Sequence, residues 1–212
     1  MTLERKDIIA AAIGLLDEVG IDKLSTRALA NRLGVAQPAF YWHFRNKGDL
    51  IDALNEEMLR RHHKRRMPEP GERWDDFLLA HARSMRRALL AVRDGARISA
   101  GTRPTAGQFA DAEQHLRLLV AAGFTPETAL HVSLGIARFV VGFVLEEQSE
   151  RERADEDAWT GEAPEELKDL PILAEAVQSL LREGTINTER AFETGLTFFV
   201  DGARQYLAAR AK

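Results

Sequence analysis

The sequence predicts an all-α chain, on three observations. Apolar residues recur every three or four positions through most of its 212 residues, and no stretch alternates apolar and polar in the strand manner. Glycine and proline fall between these stretches at helix-length intervals. Hydrophobic residues make up 45% of the chain and cysteine is absent, so a core must form by packing alone, without disulfides or thiolate metal sites.

The elements follow in order. Ile9, Ala12, Ile13, Leu16 and Val19 share one helical face over residues 6–19, and Gly20 stops the run. Ser25 and Thr26 offer an N-cap for TRALANRL, and Gly34 after it supplies a tight turn with positive φ. Pro38 suits the first turn of a third, short helix. Asn46 caps a fourth, from about residue 47 to 66, with Leu50, Ile51, Leu54 and Met58 on one face. MPEPGE at 67–72 is the clearest break and divides the chain into domains at 1–66 and 67–212. Helices are expected beyond it at 73–92, 94–100, 107–122, 126–150, 166–183 and 188–208.

Charge divides the same way. Residues 1–66 carry 12 Lys and Arg against 9 Asp and Glu, and the remainder carries 17 against 24. A basic head on an acidic body fits nucleic-acid binding by the head. The acidic surplus concentrates between Glu146 and Asp169, and RERADEDAWTGEAPEE within it reads as a solvated loop. No apolar run reaches 18 residues, and the early charges of MTLERKDIIA leave no signal-peptide core. The expectation is therefore a cytoplasmic protein that spans no membrane.

Two helices joined by a glycine turn, the second short and rich in contact residues, make a helix-turn-helix. A helix at 37–44 is too short to stand alone, so aromatics must anchor it. Phe40 and Trp42 are assigned to the core against the first helix. Gln37, Pro38 and Tyr41 remain for the major groove, Gln37 to pair with an adenine edge and Pro38 to touch a thymine methyl. Tyr41 and His43 face phosphates, Arg27 reaches a guanine edge, and Thr26 and Lys47 hold phosphates. The basic run RRHHKRR at 60–66 lies too far down its helix to join them. It complements the negative end of the helix dipole instead.

LSTRALANRLGVAQPAFYWHFRNKGDLIDAL, residues 24–54, strongly resembles the DNA-binding domain of the TetR family of repressors. LRRHH, WDDFL, RDGA with GTRPT, the Gly-Phe at 123–124 and VLEEQ at 144–148 extend the resemblance to the tetracycline-repressor branch of that family. It covers most of the chain and weakens in the acidic loop and the last two helices. The resemblance implies a C-terminal ligand-binding and dimerisation domain and a homodimer on a palindromic operator, built on a four-helix bundle of the 126–150 and 188–208 helices. ARFVVGFVL and TGLTFFVDGARQYL are too apolar all round for one buried stripe, in agreement. Gly135, Gly142, Gly195 and Gly202 would let those helices approach closely.

By position the resemblance also implies an effector pocket: His63, His81, Met85, Ser99, Thr102, Arg103, Pro104, Ala112, His115, Leu116 and Leu130, with Glu146 nearby. The branch binds a magnesium-chelated drug, and this chain departs from it. Ser99 stands where the branch has its direct metal ligand, a histidine, and a hydroxyl is a poor substitute for imidazole on a divalent ion. His81 and His115 replace amides that hold the drug, Met85 replaces a phenylalanine, and Ala39 in the head replaces a threonine. Glu146 is retained. The expectation is a small-molecule effector other than tetracycline–magnesium, with no cofactor and no metal. His63, His81 and His115 are expected to converge at one end of the pocket, and His131 is given no role. A ligand-independent regulator with a vestigial pocket is the alternative. An enzyme built on the three histidines and Glu146 lacks any nucleophile motif.

Overall fold

The computed structural model describes residues 3–153, 167–181 and 189–210. Ten helices are seen among them: α1 (Arg5–Lys23), α2 (Thr26–Leu33), α3 (Pro38–Tyr41), α4 (Lys47–His62), α5 (Trp74–Leu90), α6 (Gly95–Ala100), α7 (Ala106–Ala121), α8 (Pro126–Arg153), α9 (Pro171–Leu181) and α10 (Glu189–Arg210). No strand occurs among the described residues. The expected acidic loop lies mostly outside them.

Local chemistry sets the boundaries. Ser25 Oγ accepts the Ala28 N–H at 3.2 Å, and Asn46 Oδ1 accepts the Asp49 N–H at 2.9 Å, so both expected N-caps form. Gly34 ends α2 at φ 65°, the left-handed turn that a Cβ would strain. Gly20 is non-helical at φ 76°, but one further turn follows it to Lys23. Thr105 and Gln108 form a capping box on α7.

The head is α1 to α3 packed on the start of α4. Ile8, Ala12, Leu16, Leu29, Phe40, Phe44, Leu50 and Leu54 fill its interior. Phe40 and Phe44 stack at 5.4 Å, and Arg5 covers Phe44 from outside at 4.6 Å. Trp42 overturns its expected place in this core: it is 87% exposed. Helical geometry gives the reason. At 100° per residue, position 42 lies about 200° from position 40, so Phe40 and Phe44 take the buried face and turn Trp42 outward.

In the body, α5 packs on α4, α6, α8 and α10, and α8 also meets α6, α7 and α10. Two of the four glycines named above serve this packing within one chain. A Cβ at Gly135 would come within 2.6 Å of the Phe199 ring, and one at Gly195 within 2.9 Å of the Phe139 ring. Gly142 and Gly202 meet nothing within 4 Å. By length and composition α8 is apolar enough to cross a bilayer, with mean hydropathy 1.8 over its best window, although it threads the body of this fold.

Candidate DNA-reading head and effector pocket

The head exposes a coherent polar face. Arg27, Gln37, Pro38 and Lys47 are exposed, Tyr41 is half-exposed, and Thr26, Ala39 and His43 are partly covered. Thr26 Oγ1 accepts from Gln37 Nε2 at 3.0 Å, joining the two helices across the turn. Only one of the two Gln37 amide hydrogens is used, so its carbonyl and second N–H stay free. Lys47 Nζ donates to the Ile21 carbonyl at 3.3 Å, which holds the amine over the end of α1. Arg27 has no partner among the described residues, whereas Arg32 is tied to Glu18 at 2.7 Å and Arg45 to Asp49 at 3.0 Å. Trp42 belongs to this exposed surface and was missed from the sequence. The signal was available, since the spacing that pairs Phe40 with Phe44 excludes position 42 from their face. In the basic run, Arg60 and Arg61 both bind Glu57 in the last turn of α4.

Three helices bring His63, His81 and His115 together. The His63–His81 ring centroids lie 4.6 Å apart and those of His81–His115 4.8 Å, with Phe77 at 4.9 Å from His115. His63 closes the C-terminus of α4, His81 comes from α5 and His115 from α7. His81 Nδ1 donates to the Arg65 carbonyl at 3.0 Å and His115 Nε2 donates to the Arg66 carbonyl. Burial pushes the His63 imidazole down to about 3, helped by the Arg66 charge. Burial also holds His81 well below the usual histidine range, and His115 below it. All three are therefore neutral at pH 7. No three His, Asp or Glu among the described residues are arranged to hold a metal ion.

Met85, one helical turn beyond His81, packs against the core, and Ala112 and Leu116 on α7 are partly buried. Ser99, at the end of α6, is committed elsewhere: its hydroxyl donates to Asn55 Oδ1 at 2.6 Å. Asn55, buried on α4, donates in turn to Thr102 Oγ1 at 3.1 Å, and the Thr102 hydroxyl donates to the Ser99 carbonyl at 3.0 Å. The Arg103 N–H donates to Asp52 at 3.1 Å, while the Arg103 and Pro104 side chains are exposed. This corrects one expectation. A turn that lined the pocket beside His63 would sit at the core end of α4, but GTRPT docks at Asp52 and Asn55, roughly 12 to 16 Å back along the helix. Asn55 was not anticipated, and a lone polar residue on the buried face of α4 was the signal for it.

Leu130 and Glu146 are exposed within the single chain. They belong to one ridge of α8, in which Leu130, Leu134, Arg138, Gly142 and Glu146 recur every four residues and are all exposed. Its neighbour Glu147 is buried and paired with Arg86 at 3.0 Å. His131 is also exposed.

Residues 8–54 match the family of bacterial regulatory proteins called the tetR family, and residues 67–207 match the tetracyclin repressor-like C-terminal domain. The chain belongs to the TetR family of transcriptional repressors. It is 47% identical to the class A tetracycline repressor protein from transposon 1721 of Escherichia coli, over 98% of this chain and 94% of that one. Among solved structures, a class A TetR in complex with 5a,6-anhydrotetracycline and magnesium is 42% identical, with TM-score 0.73 over 96% and 99% of the two chains. ActR of Streptomyces coelicolor in complex with (S)-DNPA is 28% identical, with TM-score 0.79 over 99% and 98%. TetR-family structures of this shape thus include complexes with different small molecules.

Proposed function

We propose that this TetR-family chain works as a homodimer that holds a palindromic operator through its two heads and leaves it when a small molecule other than tetracycline–magnesium enters the pocket. The observation that carries the effector part is Ser99. Its hydroxyl is spent on Asn55 at the position where the resemblance requires a metal-binding imidazole. The relatives named above include tetracycline repressors, and a magnesium chelate would find a hydroxyl where the resemblance calls for a histidine.

In the head, Thr26 accepts one Gln37 amide hydrogen, and the carbonyl and second N–H remain as the acceptor–donor pair that matches an adenine edge. Arg27 is free for a guanine, and Pro38 and Ala39 for a thymine methyl. Tyr41, His43 and Lys47 hold phosphates, and Trp42 joins them at the rim.

Release runs through α6. Its start is tied to the head: Asp94 accepts the Ile21 N–H at 2.8 Å and Arg97 grips Asp22 at 2.6 Å. Its end is tied to α4 through Ser99, Thr102 and Asn55. An effector that binds better when α6 has shifted pulls both ties and turns α4, so the two heads lose the half-site spacing. Fluorescence anisotropy of a labelled operator tests this reading. Arg27→Ala and Gln37→Ala should each weaken operator binding by about 1–3 kcal/mol. Unchanged affinity in both variants would refute the assigned reading face.

A further inference from the structure

α8 has mean hydropathy 1.8 over its best window, yet only 28% of that window is buried within one chain. The uncovered side is the ridge of Leu130, Leu134, Arg138, Gly142 and Glu146, in which Leu130 is 43% and Leu134 39% exposed. An open apolar face of this kind marks a protein contact. Two opposite charges interrupt it. Arg138 and Glu146 pair with no described residue. The acids that could have answered Arg138 are spent: Glu147 on Arg86 and Arg151, Glu193 on Arg83, and Asp201 on Arg204. Neither charge finds its opposite three or four residues away on its own helix.

The two charges are placed symmetrically. Gly142 lies four residues from each, roughly 6 Å along the axis at about 1.5 Å per residue. A Cβ at Gly142 would meet nothing within 4 Å among the described residues. In a two-fold assembly, residue i of one copy meets residue j of the other just as j meets i. With α8 of two copies crossing antiparallel over Gly142, Arg138 of each copy lies opposite Glu146 of the other. The missing side chains let the axes approach to about 8 Å, within the combined reach of an arginine and a glutamate. The other ridge positions fail as centres. A crossing at Arg138 or at Glu146 sets like charges face to face. One at Leu130 or Leu134 leaves Glu146 without a counter-charge.

We propose that α8 meets α8 of a second copy at Gly142, that two reciprocal ion pairs between Arg138 and Glu146 close this contact, and that these charges restrict it to chains carrying the same pair. A chain with one sign at both positions would repel its own copy, because like charges in a desolvated contact oppose association. Glu146 thus reaches the partner already matched to a guanidinium, and not as a free carboxylate beside the pocket. The inference rests on the homodimer proposed above and adds its register and its selectivity.

Sedimentation equilibrium of the full-length protein reads the dimer dissociation constant and tests the pairing. Arg138→Glu sets carboxylate against carboxylate, and Glu146→Arg sets cation against cation. Each variant alone should dissociate at least about tenfold more readily than the native chain. Mixed in equal amounts, the two should form a heterodimer of near-native affinity, which also shows that both are folded. The double variant that exchanges the two charges should recover the native homodimer affinity. Native-strength dimers of either single variant, or a mixture no tighter than its components, would overturn the pairing while leaving the homodimer standing. A native chain that sediments as a monomer would refute the homodimer and the pairing with it.

Discussion

Phe40 and Trp42 are two residues apart and have opposite roles. Phe40 sits 2% exposed in the head core, so Phe40→Ala should cost about 3–5 kcal/mol of stability. Trp42→Ala should change stability by less than about 0.5 kcal/mol, as surface substitutions do, and should act on operator binding instead. Thermal melts paired with operator titration separate the two effects, and a large stability loss at Trp42 would contradict its outward placement. The sequence held this distinction in its spacing, but the weight given to aromatic burial overrode it. The histidines went the other way. Their convergence was expected from positions matched to the family, whereas their protonation depends on burial and on carbonyl partners that no local pattern reveals. His63 has a folded-state value of about 3, below the unfolded 6.5. The unfolded chain therefore binds the extra proton, and stability is lost as pH falls from about 6.5 toward 3, by about 1.4 kcal/mol per pH unit. Chemical denaturation at pH 6.5 and pH 5 should show this drop, and His63→Gln should reduce it.

At the scale of elements, α6 carries the most connections for its length. Gly95 begins it against the Leu89 carbonyl, where a Cβ would come within 2.1 Å, and the Gln148 side chain caps it through the Ala96 N–H at 3.1 Å. Helix starts and one stop were legible from caps and breakers, as Ser25, Asn46 and Gly34 illustrate, but α4 ends at His62 rather than at the expected 66, because His63 leaves the helical conformation as its C-cap. The register between α4 and the GTRPT turn was not legible, because it depends on Asn55 finding two partners 44 and 47 residues away. Asn55→Ala should cost about 1–3 kcal/mol by leaving those partners short of hydrogen bonds. It should also weaken induction more than operator affinity, as should changes in Thr102. Equal loss of both activities would show that Asn55 supports the fold rather than the signal.

For the whole molecule, the exposed ridge of α8 has a counterpart on α10, where Arg190, Thr194, Phe198, Gly202 and Tyr206 recur every four residues and are exposed. Two such ridges, each with a glycine that meets nothing within 4 Å among the described residues, suit packing against a second copy. The same ridge carries Leu130 and Glu146 and so would deliver both toward a partner's pocket. Phe198→Asp should convert a dimer to monomer by sedimentation and abolish tight operator binding, since one head buries too little on DNA. A dimer unchanged by that substitution would move the interface elsewhere. The central claim is that a family scaffold has been kept while its ligand has changed. Titration of operator-bound protein with tetracycline and Mg²⁺, followed by anisotropy, tests it most directly. The account predicts that the complex stays intact through the micromolar range, and operator release at sub-micromolar drug would contradict it.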